Sequence, residues 1–131
     1  MTPRQMQMSA REPGSRCCSP ELSVSMEGER VARFADDLKT LAHPLRIRIL
    51  DILLGNEGKV CVCDLVAALP VSQPTVSHHL RILREAGVVE CTYRGVWAHY
   101  FVNRRRLAEV AAEAERFFHS GEQHDENART R

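Results

Sequence analysis

The sequence has almost no net charge, no long apolar run and no secretory leader. Its formal net charge is only +1 over 131 residues, which excludes a polycation that coats nucleic acid without selectivity. No apolar stretch reaches the ~18–20 residues of a membrane span, and the N-terminus lacks the charged-then-apolar layout of an export signal. The expectation is a cytoplasmic protein with no membrane partner. Thiols stay reduced there, so five cysteines point to metal or redox chemistry and not to a disulfide framework. A strand-bordered Cys-x-x-Cys and a phosphate-cradling glycine loop are also missing, which argues against an enzyme, a thiol reductase included.

What is present is organised. The chain is 44% hydrophobic, enough for one modest core of the kind that dimerisation often completes. Between Lys59 and Arg106 seven basic residues face three acidic ones, and the sign reverses beyond Leu107. Residues 1–28 are rich in Met, Ser, Pro and charge without a sustained period, so they read as a flexible arm. Residues 29–119 read as the folded domain and 120–131 as a disordered tail.

Within the domain, Val31, Phe34, Leu38 and Leu41 mark an amphipathic helix that His43-Pro44 interrupts. A second helix from Pro44 turns Leu45, Ile49, Ile52 and Leu53 inward and stops at Gly55-Asn56-Glu57-Gly58. A short helix over Val62–Leu69 is closed by Pro70. Ser72 is a suitable N-cap for the next helix, which runs to Ala86 before Gly87 and buries Val76, Leu80 and Leu83. Runs over 88–93 and 96–102, joined by Arg94-Gly95, read as a hairpin. A last helix covers Arg104 to Phe118. The architecture expected is mainly α with a β-hairpin wing: a winged helix-turn-helix, dimeric.

Groove reading needs short polar side chains near the start of the second helix of the pair, where the helix end also favours phosphate. Gln73, Thr75, Ser77 and His78 meet that need, since Gln pairs bidentately with adenine and Ser or Thr reaches bases or phosphates. Arg81, one turn on, suits backbone phosphate, and Arg94 at the hairpin tip suits a minor groove or phosphate. His79 lies beside the core stripe and reads as a packing residue.

Leu41-Ala42-His43-Pro44-Leu45-Arg46-Ile47-Arg48-Ile49-Leu50, then Cys61 to Leu65, then Ser72 to Leu83, resemble the ArsR/SmtB family of metal-responsive repressors over roughly residues 30–103. The resemblance implies a homodimer built on the first and last helices that binds palindromic double-stranded operator DNA and leaves it on binding a metal or metalloid. It carries DNA contact onto Ser72, Gln73, Thr75, Ser77, His78 and Arg94.

Cys61 and Cys63, two apart, would point about 200° from each other on a continuous helix. Joint chelation therefore requires Cys61 at or before the helix start. A helix N-terminus stabilises anions, and thiolate is the form that binds soft ions. Cys17-Cys18 on the arm has no packing role to explain it. The arsenic-sensing type in the resembled family adds a third cysteine one turn after Cys63, where this chain has Val66. As(III) or Sb(III) prefers three sulfurs, so Cys17 or Cys18 is expected to supply the third. If both join, four thiolates suit Cd(II), Pb(II) or Zn(II), as in the cadmium/lead-sensing branch. A thiol switch pairing Cys17 or Cys18 with Cys61 or Cys63 is the alternative reading. The family's zinc site on the last helix is read as absent, because Asn103-Arg104-Arg105 and Arg116-Phe117-Phe118-His119 stand there. Cys91, with no cysteine nearby in sequence, reads as structural or incidental.

Overall fold

A computed structural model describes residue 22 and residues 24–120; Cys17, Cys18 and most of the expected arm, and the tail from 121 onward, lie outside the described residues. Five helices and one hairpin follow in the order expected: α1 (Gly28–Leu41), α2 (Pro44–Gly55), α3 (Val62–Ala68), α4 (Gln73–Glu85), β1 (Val89–Arg94), β2 (Trp97–Val102) and α5 (Arg104–His119). α1 begins at the last residue of the stretch read as arm. Among the described residues no helix is long and apolar enough to cross a membrane.

The punctuation works through identifiable hydrogen bonds. His43, restricted by Pro44, is extended (φ −135°, ψ 127°), and its Nδ1 accepts the Leu45 N–H at 3.2 Å, capping α2. At the end of α4, Gly87 takes φ +75°. The Val88 N–H then reaches Leu83 O at 3.0 Å and the Gly87 N–H reaches Arg84 O at 2.9 Å, a Schellman closure. Arg94 pairs with Trp97 and ends β1, so the hairpin turn is Gly95-Val96, one residue later than Arg94-Gly95. Gly95 supplies the positive φ (63°) that so tight a turn needs.

Ile49, Leu53, Leu65, Val76, Leu80, Leu83, Val88 and Val89 are fully buried where α2, α3, α4 and the base of the hairpin meet. Leu50 also belongs to this core, although the helical spacing had not selected it. Val60 pairs with Tyr100, and the Tyr100 N–H donates to Val60 O at 2.8 Å. The approach to α3 is thereby stitched to the wing. α1 and α5 pack together outside this core, with the Phe34 and Phe117 rings 5.5 Å apart. Arg106 ties them, donating to Asp37 Oδ1 (2.6 Å) on α1 and to Ala86 O (3.2 Å) at the end of α4. The apolar stripe expected of α1 buries only Phe34. Val31, Leu38, Phe117 and Phe118 stay exposed on the α1/α5 pair.

Candidate nucleic-acid interface and thiol site

Leu69 leaves α3 in an extended conformation ahead of Pro70, and Ser72, also extended, opens α4 with Pro74 in its first turn. Val76, His79, Leu80 and Leu83 point into the protein. Ser72, Gln73, Ser77, His78 and Arg81 are exposed, and Thr75 is half-buried. Ser72 holds the N-cap position, but its hydroxyl shares a hydrogen bond with that of Thr75 at 3.1 Å and makes no side-chain capping bond to the helix backbone. Arg81 Nη2 lies 3.3 Å from His78 Nδ1, placing a guanidinium one turn beyond His78. Arg94 is exposed at the wing tip beside Tyr93, Val96 and Trp97, which are exposed as well. Arg84 instead stacks over the Tyr100 ring, 6.0 Å from its centroid, and holds α4 to β2.

His79 is buried, at 7% exposure, as its place beside the core stripe suggested. Its Nδ1 accepts from Arg46 Nε at 3.1 Å, and its ring lies 4.5 Å from that of His43 and 5.3 Å from that of His78. Burial holds its imidazole below the ordinary histidine range, and His43, Arg46 and His78 push it the same way.

Cys61 is the residue immediately before α3, in an extended conformation (φ −100°, ψ 171°), as joint use with Cys63 requires. Asp64 reaches back to it, its Oδ2 accepting the Cys61 N–H at 2.9 Å and the Cys61 thiol at 3.2 Å. The backbone bond first, then the thiol bond, hold the Asp64 carboxyl below the usual carboxylate range, and the His99 imidazole adds a smaller pull. Cys63 is exposed in the first turn and Val66 is half-buried one turn on. The Val60–Tyr100 pairing sets Cys61 opposite His99, whose buried Nδ1 has no hydrogen-bond partner among the described residues. Among the described residues no three His, Cys, Asp or Glu side chains are gathered to hold a metal. Cys91, half-buried on β1, stands apart opposite Tyr100. On the last helix Arg104 pairs with Glu57 and Arg116 with Glu113 (2.6 Å).

Sequence reasoning had not singled out Asp64, Arg46 or His99. Asp64 was detectable, because an acidic residue three places after a cap is a capping-box spacing. Arg46 and His99 act through partners remote in sequence.

A reading helix with an exposed polar start, held on a packed core beside a hairpin that carries Arg94 at its tip, defines a winged helix-turn-helix DNA-binding regulator. Residues 43–90 match the bacterial regulatory protein, arsR family. An uncharacterized HTH-type transcriptional regulator of Methanocaldococcus jannaschii is 38% identical over 82 residues, 63% of this chain and 91% of that protein. The arsenical resistance operon repressor of Escherichia coli is 47% identical over 62 residues, 47% of this chain, which spans only 52% of that repressor. A solved structure of a possible transcriptional regulator for arsenical resistance superposes with a TM-score of 0.58 at 34% identity, covering 63% of this chain and 84% of its own. The chain belongs to the ArsR family of transcriptional regulators, DNA-binding proteins and not enzymes.

Proposed function

We propose that this chain is a repressor that binds operator DNA as a homodimer and is released when Cys61 and Cys63, completed by Cys17 and Cys18, take up a soft ion. The observation that carries this reading is the position of the thiols. Cys61 projects from just before α3 and Cys63 from its first turn, and only the turn 69–72 separates α3 from the reading helix. Thiolates bind soft ions, and drawing the two cysteines together pulls on the element that carries α4. With one arm cysteine the set has three sulfurs and suits As(III) or Sb(III). With both it has four and suits Cd(II), Pb(II) or Zn(II).

Residues 29–119 serve as the DNA-binding and dimerisation domain. Gln73, Thr75, Ser77 and His78 face base edges, Ser72 and Arg81 meet phosphate, and Arg94 carries the wing to the duplex. Val31, Leu38, Phe117 and Phe118 are exposed apolar residues on helices that already pack together, which supports α1 and α5 as the face that meets a second copy. A dimer places its two reading helices on successive major grooves about 34 Å apart, so a small rotation at α3 is enough to misplace them. By linkage, the ion weakens DNA binding by the same factor that DNA weakens ion binding. The test is a titration of arsenite, and in parallel cadmium, into the operator complex of the full chain. Release by either ion that Cys61→Ser/Cys63→Ser abolishes supports the reading. Undiminished release from that double variant refutes these ligands.

A further inference from the structure

Arg46 lies at the meeting point of three elements. From α2 its Nη1 donates to Thr40 O at 3.0 Å and Lys39 O at 3.4 Å, carbonyls of the last turn of α1, while its Nε donates to His79 Nδ1 on α4 at 3.1 Å. The last carbonyls of a helix lack intrahelical partners, and a cation there also complements the helix dipole. The guanidinium fork is planar and always charged, so it fixes directions and not merely distances. On the other side, His79 is held by packing as well as by the bond, with the His43 ring tilted against it at 43° and 4.5 Å away. The residues before and after it in the reading helix, His78 and Leu80, are respectively exposed and buried. Whatever rotates His79 about the axis of α4 therefore rotates the DNA-facing side as well.

We propose that Arg46 and His79 form a positioning latch that sets the orientation of the reading helix α4 relative to α1. The inference rests on the DNA-reading role of α4. It adds a link from the helix offered to a second copy straight to the base-reading surface, by a path that does not pass through Cys61 and Cys63. The bond requires His79 to be neutral with its proton on Nε2, because only then is Nδ1 an acceptor. The charged or titratable groups that act on His79 are His43 ahead of α2, Arg46 on α2 and His78 on its own helix, none of them a carboxylate. Protonation turns Nδ1 into a donor facing the Arg46 N–H and opens the latch. Operator affinity should then fall as pH falls below the ordinary histidine range.

The experiment is operator binding by the full chain, read as fluorescence anisotropy between about pH 5.5 and 8, with circular dichroism at each pH. Wild type is expected to weaken toward acid while its helical signal holds. His79→Asn keeps an acceptor near the Nδ1 position and cannot protonate, so it should bind like wild type at pH 8 and lose the acid decline. His79→Leu keeps bulk without an acceptor and should bind roughly tenfold more weakly than wild type at pH 8, a factor that corresponds to about 1.4 kcal/mol, with no acid decline of its own. Arg46→Lys keeps the charge without the fork and should fall between the two. Wild-type affinity that is flat or rises toward acid, or an acid decline that survives in His79→Asn, overturns the latch alone. Failure of wild type to bind any operator at any pH overturns the DNA-reading role and the latch together. Should His79→Leu fail to fold, the pH profiles of wild type and His79→Asn still decide the matter.

Discussion

Cys61 gives both its backbone N–H and its thiol hydrogen to one carboxylate oxygen, Asp64 Oδ2, at 2.9 and 3.2 Å. The same carboxylate thus caps α3 and restrains one of the two thiols proposed to bind the ion. Loss of the thiol proton replaces a hydrogen bond with two adjacent negative charges. Asp64→Asn, which keeps an acceptor for the backbone N–H and removes the charge, is therefore expected to bind cadmium or arsenite more tightly than wild type. Competition with a chromophoric chelator measures this; weaker binding by the variant would show that Asp64 assists the site.

Asp64 also sets a pH dependence of stability. Its carboxyl is held below the ordinary value of 3.8, chiefly by the Cys61 backbone bond. A depressed carboxylate contributes stability that is present above its unfolded pKa and lost as pH falls through the folded one. Acid melting curves of wild type and Asp64→Ala should accordingly converge below the ordinary aspartate range and separate above it, with wild type the more stable. Parallel curves over the whole range would mean that the cap contributes nothing.

The α1/α5 surface yields a prediction about assembly. Phe118 is 66% exposed, so Phe118→Glu removes little from the fold of one chain. If that surface meets a second copy, the variant should sediment as a monomer of normal helical content and lose most of its operator affinity. A dimer that persists in sedimentation equilibrium with this substitution places the interface elsewhere.

The elements were legible in the sequence because each end carries its own chemistry. His43-Pro44 separates α1 from α2, and Gly87 closes α4, both through local bonds. Side-chain direction was less legible. α2 carries Leu45, Ile47, Ile49, Leu50, Ile52, Leu53 and Leu54, too apolar all round for its period to single out one face, and so Leu50 was missed. α1 shows the reverse: its stripe was visible, but periodicity does not say whether the partner of Val31 and Leu38 belongs to the same chain. At the thiols, the need for Cys61 to precede α3 followed from helix geometry alone. The Arg46–His79 bond, spanning 33 positions, has no local signature.

The wing offers a direct optical test. Trp97 is the single tryptophan and is 58% exposed at the start of β2, paired with Arg94. Operator binding should change its emission. Arg94→Ala should weaken binding about equally on all sequences and reduce the salt slope by about one, whereas Gln73→Ala should cost ~1–3 kcal/mol only on the cognate site. Unchanged Trp97 emission on a saturated complex would remove the wing from the interface.

Val66 permits a gain-of-function test of how many sulfurs the ion uses. It lies three residues after Cys63 on α3 and is half-buried, and residues three apart occupy one helix face. If the described cysteines alone are one sulfur short for a trivalent metalloid, Cys17→Ser/Cys18→Ser should no longer release operator with arsenite. Adding Val66→Cys to that double variant supplies a third thiol from the scaffold and should restore the arsenite response. Cadmium, which favours four sulfurs, should be restored less well, so the two ions should separate in one release assay. A double arm variant that still responds fully to both ions would show that Cys17 and Cys18 are not ligands, and a triple variant that stays unresponsive would show that Val66 does not face the space between Cys61 and Cys63.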